Sequence, residues 1–288
     1  MTAMRSFDRS AEDVGNIIAL EHVNVTVPDQ GMASLFYVSG MGFTRDPYID
    51  FGTFNMWINV GGQQFHLPTN KAQVLRGHVG VVVPDLDGLR ARLQRIGKRL
   101  ADTRHLVTDA GDHLDVVCPW GNRIRAFGPG PRFGDMTLGM PYVELDVAVR
   151  TATGIAGFYR EVLGAPADVE RHDGHSTAVV HIGQNQQLRF RETSDRIADY
   201  DGHHLAIYLV DFSRAHAWLQ ARDLISEESD AHQYRFKDIV NPKTGKVLAT
   251  IEHEVRSLHH PMWQRFLVNR NPAQSFMGYR RGQDAWQS

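Results

Sequence analysis

From Leu20 the run LEHVNVTVPD alternates apolar and polar residues, the period-two signature of a strand buried on one face. GMASLFYVSGMGF follows with apolar residues at helical spacing and ends at a glycine, which predicts a helix. Three more strand-like runs, FTRDPYIDF, TFNMWINVG and QQFHLP, are separated by glycine or polar turns. The order is β-α-β-β-β. It returns from Pro141, where PYVELDVAV reads as a strand, TGIAGFYREVLGA as a helix, and ADVERHDG, STAVVHIG and QQLRFRE as strands.

Internal similarity supports a repeat. FYVSGMG resembles FYREVLG, and INVGGQQFHL resembles HIGQNQQLRF, at the same place in each half. The intervening stretches also match, since GHVGVVVPDLDGLRARLQRIG parallels HHLAIYLVDFSRAHAWLQARD, each a strand ending at Asp85 or Asp211 before a helix. Both then run to a Pro–Gly turn, CPWGNRIRAF and NPKTGKVLATIEHEV. Four modules are therefore expected, at about 18–70, 76–128, 139–192 and 202–256. They form two halves, 18–128 and 139–256, with a leader at 1–17 and the Gly/Pro-rich stretch Gly128–Gly134 as hinge. The tail, 257–288, is expected to pack on the body through Trp263, Phe266, Leu267 and Val268, with Arg265, Arg270, Arg280 and Arg281 on a solvated face.

Composition narrows the class. The chain has 288 residues, 42% hydrophobic and 22% charged, with a formal net charge of −2. No global basic field draws it to nucleic acid or anionic lipid. The only cysteine, Cys118, excludes an intrachain disulfide and a cysteine-rich zinc site. The opening stretch MTAMRSFDRSAEDVGN lacks the apolar run of a secretory signal, and no segment approaches the ~20 apolar residues of a membrane helix. The expected setting is cytoplasmic, with a small-molecule substrate as partner, no nucleic acid, no membrane, and a monomer or homodimer.

Four β-α-β-β-β modules, a Pro–Gly turn before the last strand and histidines at strand starts resemble the vicinal oxygen chelate superfamily. It includes glyoxalases, extradiol ring-cleaving dioxygenases, epimerases, fosfomycin-inactivating thiol transferases and bleomycin-binding proteins. The resemblance covers about 18–256 and is specific for fold, weak for reaction. It implies an α+β protein in which modules pair into two cup-shaped mixed β-sheets, with metal ligands from the first and last strands of each module.

At those positions the first strands carry His22, His78 and His204, while the third module has Tyr142 with Glu144 two residues on. The last strands carry His66, Arg125, Arg189 and Glu252, with Glu254 pointing the same way as Glu252. Imidazole and carboxylate suit zinc, iron, manganese or nickel, whereas arginine keeps its proton and cannot ligate. If neighbouring modules pair, each cup contains an arginine at a ligand position. If the pairing is crossed, first with fourth, one cup gathers His22, His66, His204 and Glu252. The other then holds His78, Arg125, Tyr142 and Arg189. Crossed pairing is favoured because it leaves one live and one degenerate site, and it predicts one divalent ion (Fe, Zn, Mn or Ni).

Such a site supports isomerase or lyase chemistry of glyoxalase type, in which a substrate with two neighbouring oxygens chelates and a metal-bound enolate forms. Glu252 is the candidate proton shuttle, His232 and Tyr234 are candidate acid/base groups, and Asn55 and Trp57 are candidate substrate contacts with Asn59 on the same face. Two alternatives remain: an Fe(II) extradiol dioxygenase using His22, His204 and Glu252, and a metal-free small-molecule binder of bleomycin-resistance type. Cys118 reads as a small buried residue, with His113 too uncertain a neighbour to activate it, and His259 and His260 read as tail packing.

Overall fold

The computed structural model describes residues 8–49, 51–172, 174–276 and 278–285, so part of the expected leader and the last three residues lie outside it. The first module comprises β1 (Ile17–Asn24), a short α1 (Gln30–Ala33), β2 (Thr44–Arg45), β3 (Asn55–Val60) and β4 (Gln63–Pro68). Asp29 starts α1 by accepting a hydrogen bond from the Met32 amide. The helix then widens into a π-helical segment, Ser34–Gly40, rather than continuing as α. Phe36 and Tyr37 are fully buried there. Gly40 permits close packing on the second module, since a Cβ at that position would lie 2.4 Å from Ile96 Cδ1.

The expected strand FTRDPYIDF is cut to Thr44–Arg45. The buried Asp46 carboxylate accepts from the amides of Tyr48 (2.8 Å) and Ile49 (3.1 Å), bending the chain into a turn, and Pro47 has no N–H for a ladder.

The second module is β5 (Gly77–Val82), α2 (Leu86–Gly97), β6 (Leu106–Asp109), β7 (His113–Val117) and β8 (Arg123–Phe127). The third is β9 (Gly139–Ala148), α3 (Ala152–Glu161), β10 (Ala167–His172), β11 (His175–His181) and β12 (Gln187–Thr193). The fourth is β13 (His204–Leu209), α4 (Phe212–Gln220), β14 (Ile225–Asp230), β15 (Gln233–Val240) and β16 (Val247–Ser257). Asp85 and Asp211, which follow β5 and β13, accept from the amides of Gly88 and Arg214 as N-caps of α2 and α4.

The strands form two eight-stranded mixed sheets, in the orders β14-β15-β16-β13-β1-β4-β3-β2 and β10-β11-β12-β9-β5-β8-β7-β6. Module one joins module four through antiparallel β1 and β13, and module two joins module three through antiparallel β5 and β9. The pairing is crossed. One continuous apolar cluster, from Leu20 and Phe36 through Leu89 and Phe158 to Phe236, takes residues from all four modules. The Gly128–Gly134 stretch is anchored rather than free: Phe133 is buried against Val82, Phe127 and Tyr142. Cys118 is fully buried in the same core, and burial pushes its thiol up. No described helix is long and apolar enough to cross a membrane.

Candidate metal centre

Strand register brings residues far apart in sequence onto one patch of the first sheet. On the parallel pair β1/β4, His22 lies opposite Gln64 and Asn24 opposite His66. On the parallel pair β13/β16, His204 lies opposite Glu252 and Ala206 opposite Glu254. Across the central antiparallel pair, His22 faces Ala206 and Asn24 faces His204.

Each of His22, His66 and His204 offers a ring nitrogen, and the three lie within 4.8 Å of one another. His22 Nε2 is 3.5 Å from His204 Nε2. His22 Nδ1 is 3.2 Å from the Glu21 carboxylate. Glu21 only accepts, so it fixes the Nδ1–H tautomer and leaves an Nε2 lone pair facing the other rings. Among the described residues, neither of the buried His66 ring nitrogens has a hydrogen-bond partner. An orphaned buried imidazole is costly, and His66 converging with His22 and His204 makes a donor set that suits a divalent cation. Burial, with His22 and His204 beside it, holds His66 well below the usual histidine range. Burial lowers His204 too, against the opposing pull of Glu254. His66 and His204 are thus biased toward the neutral form, the state in which imidazole ligates.

The carboxylates are held by guanidinium groups. Arg235 Nη1 is 2.7 Å from Glu252 Oε1 and its Nη2 is 2.6 Å from Glu254 Oε2, so one fork bridges both acids. The buried Arg256 pairs with Glu21 and, at 2.5 Å, with Glu254. Glu254 Oε2 is 3.4 Å from His204 Nε2, whereas Glu252 Oε1 is 3.7 Å from His204 Nδ1. Burial alone would raise Glu254, but Arg256, the His204 contact and His22 outweigh it and hold it well below the usual carboxylate range.

Trp57 stacks on His66, with ring centroids 3.9 Å apart and planes within 19°. The C-terminal segment lies over this corner. Met262 is buried with Tyr48, Ile49 and Trp57, and its sulfur is 3.4 Å from Arg256 Nη1. Arg265 is buried in an ion pair with Asp46 and also reaches Gln64 at 3.2 Å, so it is not on a solvated face as expected. Its Asp46 partner supplies the charge that makes burial tolerable. Trp263 packs on Tyr208 at 4.7 Å, but Phe266 and Val268 are exposed, against expectation.

No family model matches this sequence, and no curated protein matches it either. Solved structures do. Glyoxalase I from Zea mays has a TM-score of 0.59 at 14% identity, with 84% of this chain and 92% of that one covered. A presumed dioxygenase from Bacillus subtilis has a TM-score of 0.56 at 14% identity, covering 87% and 91%. This is the vicinal oxygen chelate fold. At such identities the likeness establishes architecture alone.

Within the vicinal oxygen chelate frame, the structure sorts the other expected residues. Asn55 is half-buried on β3, two positions from Trp57 along the same face, and its buried Oδ1 has no partner among the described residues. Asn59 instead accepts from Gln64 Nε2 at 2.6 Å. Tyr234 is displaced from its expected role: it is buried on the helix side of β15 against Phe212 and His216, each 4.9 Å away. His232 sits in the β14–β15 turn, where its amide donates to Asp230 and its carbonyl accepts from the Ser257 amide, so its backbone is held within that turn. Arg235, next to Tyr234 on β15, faces the acids. Its signal was alternation, because Tyr234 and Phe236 share the apolar face and Arg235 must take the other. Glu21 and Arg256 were also missed, as charged neighbours of predicted ligands. His259 and His260 lie in the tail, and His260 faces Tyr208 at 6.4 Å.

Proposed function

We propose that the protein is a divalent-metal-dependent enzyme acting on a small organic substrate with two neighbouring oxygens, by isomerase or lyase chemistry of the glyoxalase type. The observation that carries this reading is the convergence of His22, His66 and His204 from the first and fourth modules within 4.8 Å. His22, His66 and His204 would hold the ion, with Glu254 as the adjacent carboxylate. When bound, such an ion supplies Lewis acidity that stabilises negative charge developing on a substrate oxygen.

The chain's own groups do the rest. Glu21 orients His22, and Arg256 holds Glu21 and Glu254 in one ion-paired unit. Glu252 is fixed by Arg235 and lies 3.5 Å from Lys237 Nζ, and its carboxylate is the group that accepts a substrate C–H proton. Trp57 and Asn55 form the wall against which the substrate carbon skeleton rests, and Met262 excludes water from that corner.

Hydrogen–deuterium exchange at the carbon next to the carbonyl of a 2-hydroxyketone tests this. The wild type with zinc, nickel or manganese should catalyse exchange, and Glu252→Gln should not. Oxygen uptake on catechols with iron, and no exchange, would replace this reading by the ring-cleaving dioxygenase.

A further inference from the structure

The second sheet repeats the register of the first. His78 lies opposite Arg123 and Gly80 opposite Arg125 on β5/β8, while Tyr142 lies opposite Gln187 and Glu144 opposite Arg189 on β9/β12. Across the central pair, His78 faces Glu144 and Gly80 faces Tyr142. The positions filled by His22, His66, His204 and Glu254 in the first cup are thus filled by His78, Arg125, Tyr142 and Arg189 in the second. Three imidazoles and an acid have been exchanged for two guanidiniums, a phenol and one imidazole. A set of donors suited to a cation has become a set suited to an anion.

The side chains make a built cavity. Arg125, Phe127, Arg132, Phe133, Tyr142 and Arg189 line a space of about 310 Å³, within the range of small-molecule sites. Asp112 on the same wall pairs with Arg132 (3.2 Å), and Asp115, outside the lining, pairs with Arg125 Nε (2.9 Å). Among the described residues Arg189 has no carboxylate within ion-pair distance; its Nε donates to Gln187 at 2.9 Å and its guanidinium lies 4.2 Å from the Tyr142 ring centroid. Tyr142 Oη is 3.1 Å from His78 Nε2, and burial pushes the phenol up to about 12, so it remains a donor. Burial, with Arg125 and Arg123 nearby, takes His78 down to about 3, so the ring adds no charge. Gly80 makes room for this arrangement, because a Cβ there would lie 2.4 Å from Tyr142 Cε1. Phe127 and Phe133, both buried, form an apolar wall beside the guanidiniums.

We infer that the second cup is a binding site for a small ring-bearing carboxylate, clamped by Arg189 and Arg125 with its ring against Phe127 and Phe133. A guanidinium fork matches the two carboxylate oxygens, and the aromatic wall rewards a ring over a bare inorganic anion. This site is independent of the metal proposed for the first cup.

Calorimetric titration of the full chain with benzoate tests it, with inorganic phosphate and cyclohexylammonium as controls. One equivalent of benzoate should bind, phosphate should not displace it, and cyclohexylammonium should not bind. Arg189→Gln should weaken benzoate by about tenfold or more, as expected for losing a charged hydrogen bond. Arg189→Lys, which keeps the charge but loses the fork, should give an intermediate loss and guards against a folding defect. His66→Ala should leave benzoate binding unchanged. Absence of binding, equal binding by wild type and both Arg189 variants, loss in His66→Ala, or displacement by phosphate at equal concentration would overturn the assignment.

Discussion

Glu254 and His66 hold the same register position in the two modules of one sheet. His66 lies opposite Asn24, two residues after His22, and Glu254 lies opposite Ala206, two residues after His204. This equivalence puts Glu254, not Glu252, at the position that matches His66, and Glu254 Oε2 lies 3.4 Å from His204 Nε2. The two acids should therefore behave differently. Glu254→Gln is expected to weaken zinc binding by at least about tenfold, and Glu252→Gln to leave it within a few-fold while abolishing proton exchange. Competition with a chromophoric chelator measures the first, and the reverse ranking would reassign the ligand.

Arg235 bridges both acids from a side chain 21% exposed. Arg235→Ala leaves two carboxylates short of a partner, and the expected loss is about 2–3 kcal/mol in urea unfolding, below the full cost of breaking a deeply buried pair. An unchanged unfolding midpoint would mean that solvent already balances these charges.

The tail is fastened to the body by the buried Arg265–Asp46 pair. Arg265→Ala strands Asp46 inside and is expected to cost about 3 kcal/mol. The double variant Arg265→Ala, Asp46→Ala should cost less than the sum of the single changes, since neither charge is then left alone. Protease sensitivity around Met262 should rise in the single variant. Additive costs would show that the pair is not coupled.

His78 supplies a pH dependence. Its folded value is about 3 against an ordinary 6.5, so between those values the unfolded chain binds the extra proton. The stability it contributes is present above about pH 6.5 and falls as pH drops toward 3. From pH 7.5 to 5 the wild type should lose about 2 kcal/mol more than His78→Gln. Parallel urea-derived stabilities across that range would contradict neutral burial of the ring.

Much of this arrangement is legible in the residues, and the gaps have physical causes. Alternation and the internal repeat locate the modules, and the distribution of arginines between ligand positions anticipates the crossed pairing later seen at β1/β13 and β5/β9. The choice between Glu252 and Glu254 is not legible. β15 and β16 shift register between Phe236 and Asp238 and again between Ile239 and Val240, and the Asn241–Lys246 turn differs in length from that of the second module. Tyr234 is a candidate by its place in the strand leading to the Pro–Gly turn, although Phe236 two positions on marks its face as core. The burial of Arg265 depends on Asp46, which lies 219 residues earlier in a stretch that reads as strand.

Metal analysis of the full chain purified without chelator tests the central claim most directly. About one equivalent of a divalent transition metal per chain is expected in the wild type, with loss of that metal in His22→Ala, His66→Ala and His204→Ala, each still folded by circular dichroism. Full stoichiometric metal in a folded variant lacking all three histidines, or a wild type that stays metal-free after incubation with excess zinc, nickel, manganese or ferrous ion, would contradict it.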